Sequence, residues 1–182
     1  DPALVSAMAG DGQEVLRWLI RQGMQFEQTS SGDLHTRRAG GMSTARLVHC
    51  RDYTGLEMMR VLREAVIQHR SIEVWEQSPA VELLSNEHGQ KCVGAVLTSL
   101  LDDQLRIVRT RSVILATGGL GRLHLNGFPT SNHLGATGDG LVLAYRIGAR
   151  LRELDSFQYH PTGLLHPSHL AGKLVTEGVR AA

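Results

Sequence analysis

Residue types that bind carboxylates and move protons are concentrated near the end of the sequence. His160 stands directly before Pro161 in FQYHPTG, and Thr176, Glu177 and Arg180 follow in LVTEGVR. Histidine, hydroxyl and guanidinium donors can fix a carboxylate, and a Glu–Arg pair can pass a proton. The alternative is structural, because Glu177 and Arg180 are spaced to form a salt bridge on one helical turn. The pattern therefore predicts either a carboxylate site or an ordinary surface ion pair.

Three glycine-rich stretches precede these residues. ATGGLGR, residues 116–122, follows an apolar run, so its glycines either let the backbone approach a diphosphate or simply make a tight turn. ATGDGLVLA, residues 136–144, opens a helix at Asp139, which is either an N-cap or a contact to a ribose or ring edge. RRAGGMSTAR, residues 37–46, is either a solvated loop or an anion-lined wall.

The remaining reactive side chains give weaker patterns. His166 and His169 have a spacing that could hold a metal, but Pro167 and Ser168 between them favour a loop, so we expect no metal site. Cys50 and Cys92 lie far apart and form no CxxC pair. We expect two reduced thiols, with a single disulfide as the alternative.

Composition limits the class of protein. The sequence has 182 residues, 42% hydrophobic and 20% charged, with a net charge of +1. It fits one globular domain with or without a small subdomain, and it has no basic run that would track nucleic acid. It contains no apolar run of about 20 residues, so we expect no membrane insertion. It begins at Asp1 without an initiator methionine or a signal-peptide pattern, so we expect a piece of a longer protein.

Hydrophobic spacing predicts helices in the first third of the chain. Apolar residues recur every three or four positions over residues 2–23, where Gly10 and Gly12 should break the segment into two helices and Gly23 should end it. Residues 54–70 repeat this spacing.

Two further predictions concern that second helix and the segment before it. Thr54 and Glu57 have the spacing of a capping box, with Thr54 as the N-cap. Residues 24–50 are polar and lack a period, which predicts a long functional loop.

The middle of the chain changes to strand spacing. Short runs separated by turn residues predict an antiparallel meander over residues 72–110, whereas the apolar run at 112–119 predicts a fully buried central strand. Beyond them, residues 135–151 predict a helix of about three turns. The strands expected in the meander are 72–77, 80–85, 91–100 and 104–110.

Five motifs, in this order, resemble the flavoproteins of the succinate dehydrogenase and fumarate reductase family, which also contains L-aspartate oxidase. They are RRAGGMSTARLVHCRDYTG, SVILATGGLGR, ATGDGLVLAYRIGARL, DSFQYHPTG and LVTEGVR, and they run along nearly the whole chain. The resemblance implies an α/β fold, part of a Rossmann-like FAD-binding domain with an antiparallel β-meander and flanking helices.

The resemblance also implies an activity and its residues. The family binds FAD and moves a hydride between the flavin and a C4 dicarboxylate such as fumarate or succinate. His160 and Thr176 would hydrogen-bond a substrate carboxylate, while Glu177 and Arg180 would belong to the proton relay. Arginine is an unusual acid because its pKa is so high, so the neighbouring carboxylate would help the transfer.

The cofactor contacts implied by the resemblance fall on three segments. One residue opens the helix of the 136–144 motif, a turn follows the apolar run, and a strand start would lie by the adenine. These residues are Asp139, then Ala116, Thr117, Gly118 and Gly119, and finally Ser78, Pro79 and Ala80.

The departures from the family pattern concern what flanks the motifs. Members carry an N-terminal βαβ unit with the glycine-rich FAD fingerprint and a later capping domain with further substrate-binding residues, and neither is found in this sequence. We therefore expect residues 1–182 to be a partial FAD-binding domain, with 72–110 as its meander. Alone, it should be inactive and should bind FAD weakly or not at all.

Two features choose differently within the family. Gly163 after H-P-T favours the fumarate reductase and succinate dehydrogenase flavoproteins, whereas the extra His-Pro at 166–167 resembles L-aspartate oxidase. We expect the former, with L-aspartate as the alternative substrate and a non-catalytic docking fragment as the alternative from another class. The resemblance also admits an iron–sulfur electron-transfer partner, and a cytoplasmic location with peripheral membrane attachment through partner subunits.

Overall fold

The computed structural model describes residues 1–123, 130–158, 160 and 162–176. These residues divide into two compact units, one built on Asp1–Val74 and the other on Trp75–Val175, and Thr176 is grouped with the first. Among the described residues, no helix is both long and apolar enough to cross a bilayer. The fold combines helices with antiparallel sheet, as the sequence predicted.

The first unit opens with one continuous helix, α1, at Pro2–Arg21. The Asp1 carboxylate accepts the Ala3 N–H at 2.9 Å and proline occupies the first turn, which are favourable helix-start features. The predicted break at Gly10 and Gly12 is wrong, because a glycine costs a helix only about 1 kcal/mol and this long capped helix tolerates two. Gly23, at φ 97°, follows the helix end, where only glycine adopts that backbone easily.

Helix α2, Thr54–Gln68, covers the core of the first unit. Leu19, Met24, Cys50 and Val61 form that core. The predicted capping box is wrong: the N-cap residue is Tyr53, without a side-chain capping bond. The Thr54 hydroxyl instead accepts the Cys50 N–H at 3.1 Å, so it ties the preceding turn to the helix.

Part of the segment predicted as a loop is a short antiparallel ribbon. Strand β1, Thr36–Arg37, pairs with β2, Leu47–Val48. At the open end of the ribbon, His35 Nδ1 lies 2.9 Å from Nε2 of the buried His49. The ribbon therefore presents the Gly40–Gly41 loop from a hydrogen-bonded base.

The second unit contains the predicted meander as three strands. These are β3, Ala80–Ser85, β4, Cys92–Thr98, and β5, Leu105–Arg109, each antiparallel to the next. The strand predicted at 72–77 is wrong: Trp75 instead lies beneath the Arg106 guanidinium, 5.6 Å from the ring centroid.

The predicted central strand at 112–119 is also wrong. These residues form no strand, and the Ile114 side chain is 91% exposed. A strand is stabilised by hydrogen bonds to neighbouring strands, and the described residues provide no partner strand for this run. The apolar pattern was detected correctly, but its burial depends on strands outside the part described.

Helix α3, Asp139–Arg146, is shorter than predicted. It ends at Ile147, and Gly148 turns the chain away at φ 94°. Beyond it, one turn of 3₁₀ helix, Ser168–Leu170, sits at the end of a narrow loop. The sides of this loop are joined by the Gly163–Leu174 bridge.

Candidate functional site

Two of the glycine-rich motifs meet in the second unit. The Gly138 N–H donates to the Gly119 carbonyl at 3.1 Å, and the Arg122 N–H donates to the Ala136 carbonyl at 2.7 Å. Gly140 packs against Thr117 so closely that a Cβ would overlap the threonine hydroxyl. The turn at 116–119 and the start of α3 therefore form one surface.

This surface has features that suit an anionic group. Gly118 and Gly138 have φ values of 75° and 81°, so both turns use backbone conformations in which a Cβ is unfavourable. The residues of the turn, Ala116 to Gly119, are exposed. The amides of the first helical turn, at the N-terminus of α3, lack partners within the helix and carry its positive dipole end.

Asp139 is not the side-chain cap of α3. The N-cap residue is Gly138, and no side-chain capping bond forms. The exposed Asp139 carboxylate instead accepts the Thr137 hydroxyl at 2.6 Å. The simple capping alternative is therefore wrong, and the carboxylate remains accessible to a ligand.

The strand start predicted beside the adenine lies in the same unit. The Ser78 hydroxyl donates to the Glu76 carbonyl at 3.0 Å, and the Pro79 carbonyl accepts the Thr98 N–H at 3.0 Å. Ala80 begins β3, which contacts α3. The second unit thus contains all the residues predicted to bind the cofactor.

His160 is exposed and makes its contacts within its own turn. Its Nδ1 lies 2.9 Å from the Thr162 hydroxyl and 3.4 Å from the Thr162 N–H. Thr162 in turn is anchored, because its carbonyl accepts the Val175 N–H at 2.9 Å. The histidine therefore projects from a hydrogen-bonded loop.

The other predicted catalytic residues are not assembled with His160. Thr176 is exposed and is grouped with the first unit, although Val175 directly before it belongs to the second. Glu177 and Arg180 lie outside the described residues. Their roles therefore stay predictions from the motif.

The sequence analysis missed three residues that organise this region. The Arg122 Nε donates to the Asn132 carbonyl at 2.8 Å, and the Asn132 N–H and side-chain amide donate to the Thr130 hydroxyl at 3.1 Å. The signal was an arginine directly after the glycine turn. The third is Thr162, whose hydroxyl was read only as part of the HPTG string.

No alternative ligand chemistry is found among the described residues. They contain no group of three or more His, Cys, Asp or Glu side chains that could hold a metal ion, in agreement with the sequence prediction. Cys50 and Cys92 are both free thiols, as predicted.

Comparison with known families identifies the fold. The model of the FAD binding domain family matches residues 1–182. The chain belongs to this family. Its match to the sequence patterns of flavoproteins therefore agrees with the arrangement of the two glycine turns.

The relatives include both enzyme types expected from the sequence. L-aspartate oxidase 2 of Ralstonia nicotianae is 37% identical over 180 residues, which is 99% of this chain and 32% of that protein. A fumarate reductase (CoM/CoB) polypeptide of Methanothermobacter marburgensis is 36% identical over 181 residues, again 99% and 32%. The chain thus spans about a third of the length of these curated relatives.

A solved structure is similar over most of the chain. A variant of the E. coli quinol fumarate reductase FrdA superposes with a TM-score of 0.81 at 30% identity, covering 91% of this chain and 27% of that one. At this coverage, the similarity supports the predicted fold class.

Proposed function

We propose that the polypeptide carrying this chain is an FAD-dependent oxidoreductase of the fumarate reductase and succinate dehydrogenase type. The observation that carries the proposal is the junction of the two glycine turns, made by Gly138 and Gly119 and by Arg122 and Ala136. Membership of the FAD binding domain family supports FAD as the ligand of that junction. The substrate would be a C4 dicarboxylate.

The cofactor would lie along the exposed turn and the start of α3. The backbone at 116–119 would approach its diphosphate, because glycines there leave room for close contact. Asp139 would accept a hydrogen bond from a ribose or ring donor, and Ser78, Pro79 and Ala80 would flank the adenine. When bound, FAD supplies the hydride donor and acceptor, and the protein supplies position and field.

The substrate groups would be held by the segment that contains HPTG and TEGVR. His160 and Thr176 would donate hydrogen bonds to a carboxylate, which also draws charge from the adjacent carbon and favours hydride attack. Arg180, with Glu177 beside it in the sequence, would deliver the proton on the other side of the reacting bond. These assignments rest on the motif and on the exposed position of His160.

A second candidate is L-aspartate oxidase. It is favoured by the 37% identity to L-aspartate oxidase 2 of Ralstonia nicotianae and by the second His-Pro pair at 166–167. The fumarate reductase type is favoured by Gly163 and by the FrdA structure.

One experiment separates the two candidates. The longest natural polypeptide that carries this sequence is purified and assayed for fumarate reduction by a reduced viologen dye and for aspartate-dependent peroxide formation. We expect flavin in the purified protein and turnover with fumarate. Peroxide formed only with aspartate would favour the oxidase, and a protein that lacked both bound flavin and both activities would favour a non-catalytic docking role.

The partner and the location are part of the same proposal. An iron–sulfur protein would carry electrons to or from the flavin, and the complex would be cytoplasmic, at the membrane surface only through partner subunits. Fractionation of native cells tests this, because co-purification of an iron–sulfur protein with the flavoprotein is the expected result. A flavoprotein that stays fully active without any iron–sulfur partner would contradict it.

A further inference from the structure

The contact between Thr162 and His160 determines which ring nitrogen carries the hydrogen. A main-chain N–H can only donate, so the Thr162 N–H at 3.4 Å requires a lone pair, not a hydrogen, on His160 Nδ1. The Thr162 hydroxyl, 2.9 Å from the same nitrogen, can rotate its hydrogen toward that lone pair. A neutral imidazole arranged in this way carries its single hydrogen on Nε2.

Thr162 is held well enough to impose this arrangement. The Thr162 carbonyl accepts the Val175 N–H at 2.9 Å, and the next rung joins the Leu164 N–H to the Lys173 carbonyl at 2.9 Å. At the far end of the loop, Gly172 is buried, and a Cβ there would lie 2.6 Å from the Thr130 carbonyl oxygen. The loop therefore has a fixed backbone, and the threonine is half-buried while the histidine is exposed.

We propose that Thr162 is a positioning residue that holds neutral His160 as the Nε2–H tautomer, with Nε2 as a hydrogen-bond donor to a substrate carboxylate. The identity of that acceptor rests on the proposed function, whereas the tautomer rests only on the contacts of Thr162. The reverse tautomer would put a lone pair on Nε2, which repels a carboxylate oxygen. The hydroxyl thus contributes to substrate binding without touching the substrate.

The test compares two substitutions of Thr162 in the longest natural polypeptide that carries this sequence. Thr162→Val keeps the shape of the side chain and removes the hydroxyl, whereas Thr162→Ser keeps the hydroxyl and removes a methyl group. Nitrogen NMR of histidine-labelled protein reports the His160 tautomer, with the signal assigned by its loss in His160→Asn. Steady-state kinetics with fumarate and reduced viologen report KM and kcat separately, and flavin absorbance reports cofactor content.

We expect Thr162→Val to lose the pure Nε2–H tautomer and to raise KM for fumarate by about tenfold, since one hydrogen bond of ordinary strength is weakened. The kcat and flavin content should change little, because the loss is in substrate binding. Thr162→Ser should restore both the tautomer and the KM. The kinetic change would be absent from a variant that had only lost stability and then been assayed at matched flavin content.

Two results would overturn the proposal. An unchanged His160 tautomer in Thr162→Val would show that the hydroxyl does not select it. A changed tautomer with an unchanged KM would show that the tautomer does not serve the substrate. If the unsubstituted protein has no activity toward fumarate, the proposed function fails, and the NMR comparison still decides whether Thr162 controls His160.

Discussion

Gly140, in the first turn of α3, packs directly against Thr117, in the turn that follows the apolar run. A Cβ at Gly140 would overlap Thr117 Oγ1 and would lie 3.0 Å from Thr117 Cβ. Gly140 is itself buried. The glycine in the T-G-D-G string is therefore needed for packing between the two turns, and not only for flexibility.

Substituting Gly140 should disrupt that packing. We expect Gly140→Ala to lower the free energy of unfolding by about 1–3 kcal/mol, because the added methyl group forces neighbouring atoms to move. Adding Thr117→Ala removes the overlapping hydroxyl and should recover part of the loss. Urea unfolding measures both variants.

Gly163→Ala is the matched control for this comparison. A Cβ at Gly163 would meet no atom within 4 Å, and its φ is not in the positive region. It should therefore leave stability nearly unchanged. Equal losses in Gly140→Ala and Gly163→Ala would contradict the steric explanation.

Arg122 should connect the same two turns from the other side. Its backbone N–H and its Nε donate to Ala136 and Asn132, at 2.7 Å and 2.8 Å. We expect Arg122→Ala to weaken FAD binding by about tenfold, since one charge-assisted hydrogen bond that holds the turn is lost. The dissociation constant, measured by quenching of flavin fluorescence in the longest natural polypeptide, gives the result.

Two further variants interpret that measurement. Arg122→Lys retains a donor and should lie between the original protein and Arg122→Ala. Arg150→Ala removes an exposed arginine after α3 and should bind FAD normally. An Arg122→Ala variant that bound FAD as tightly as the original would remove the arginine from the cofactor site.

Local sequence patterns predicted the meander well and the buried strand badly. The alternation in 80–85 and 104–110 matches β3 and β5, because each of these strands pairs with its neighbour in the chain. The run at 112–119 is just as apolar, but its burial depends on strands that a local pattern cannot supply. Only contacts between segments distant in sequence could have corrected that prediction.

The candidate site shows the same division. The sequence located the turns around Gly118 and Gly138 because glycine strings mark unusual backbone directly. It could not reveal that Arg122 reaches Asn132, or that Thr162 faces His160 through Nδ1. Those contacts depend on side-chain directions that a one-dimensional pattern does not contain.

Glu57 should give a measurable acid dependence in the first unit. The Arg60 guanidinium holds Glu57 by two hydrogen bonds, at 2.7 Å and 2.9 Å, and this lowers the pKa of the Glu57 carboxyl below its ordinary 4.5. A lowered pKa in the folded state stabilises the fold above pH 4.5, and that contribution is lost as the pH falls through the lowered value. Arg60→Gln should therefore destabilise the protein at neutral pH, with the difference disappearing in acid.

Carbon-detected NMR titration of the glutamate carboxyls checks the cause directly. In Arg60→Gln, the pKa of Glu57 should move upward toward its ordinary value, while Arg70→Gln, an exposed arginine beyond α2, should leave it in place. A Glu57 titration that did not differ between these two variants would exclude Arg60 as the source of the lowered pKa.

The two free thiols should differ in reactivity. Cys50 is buried in the core of the first unit, where its Sγ lies 2.8 Å from the Gln25 carbonyl oxygen. Burial and the nearby carboxylates of Glu57 and Glu27 raise the pKa of the Cys50 thiol above its ordinary 9.0. Because the thiolate is the nucleophile, Cys50 should react slowly with a disulfide reagent at about pH 8 in the folded protein.

Cys92 is the internal comparison, because it lies in β4 with a partly accessible side chain. We expect one fast and one slow phase in thiol modification, and Cys92→Ser should abolish the fast phase alone. The raised folded pKa also means that alkaline pH favours unfolding, since the unfolded Cys50 thiol loses its proton first as the pH rises past 9.0. Cys50→Ala should reduce that alkaline loss of stability, and a slow phase that survived this substitution would assign the buried thiol wrongly.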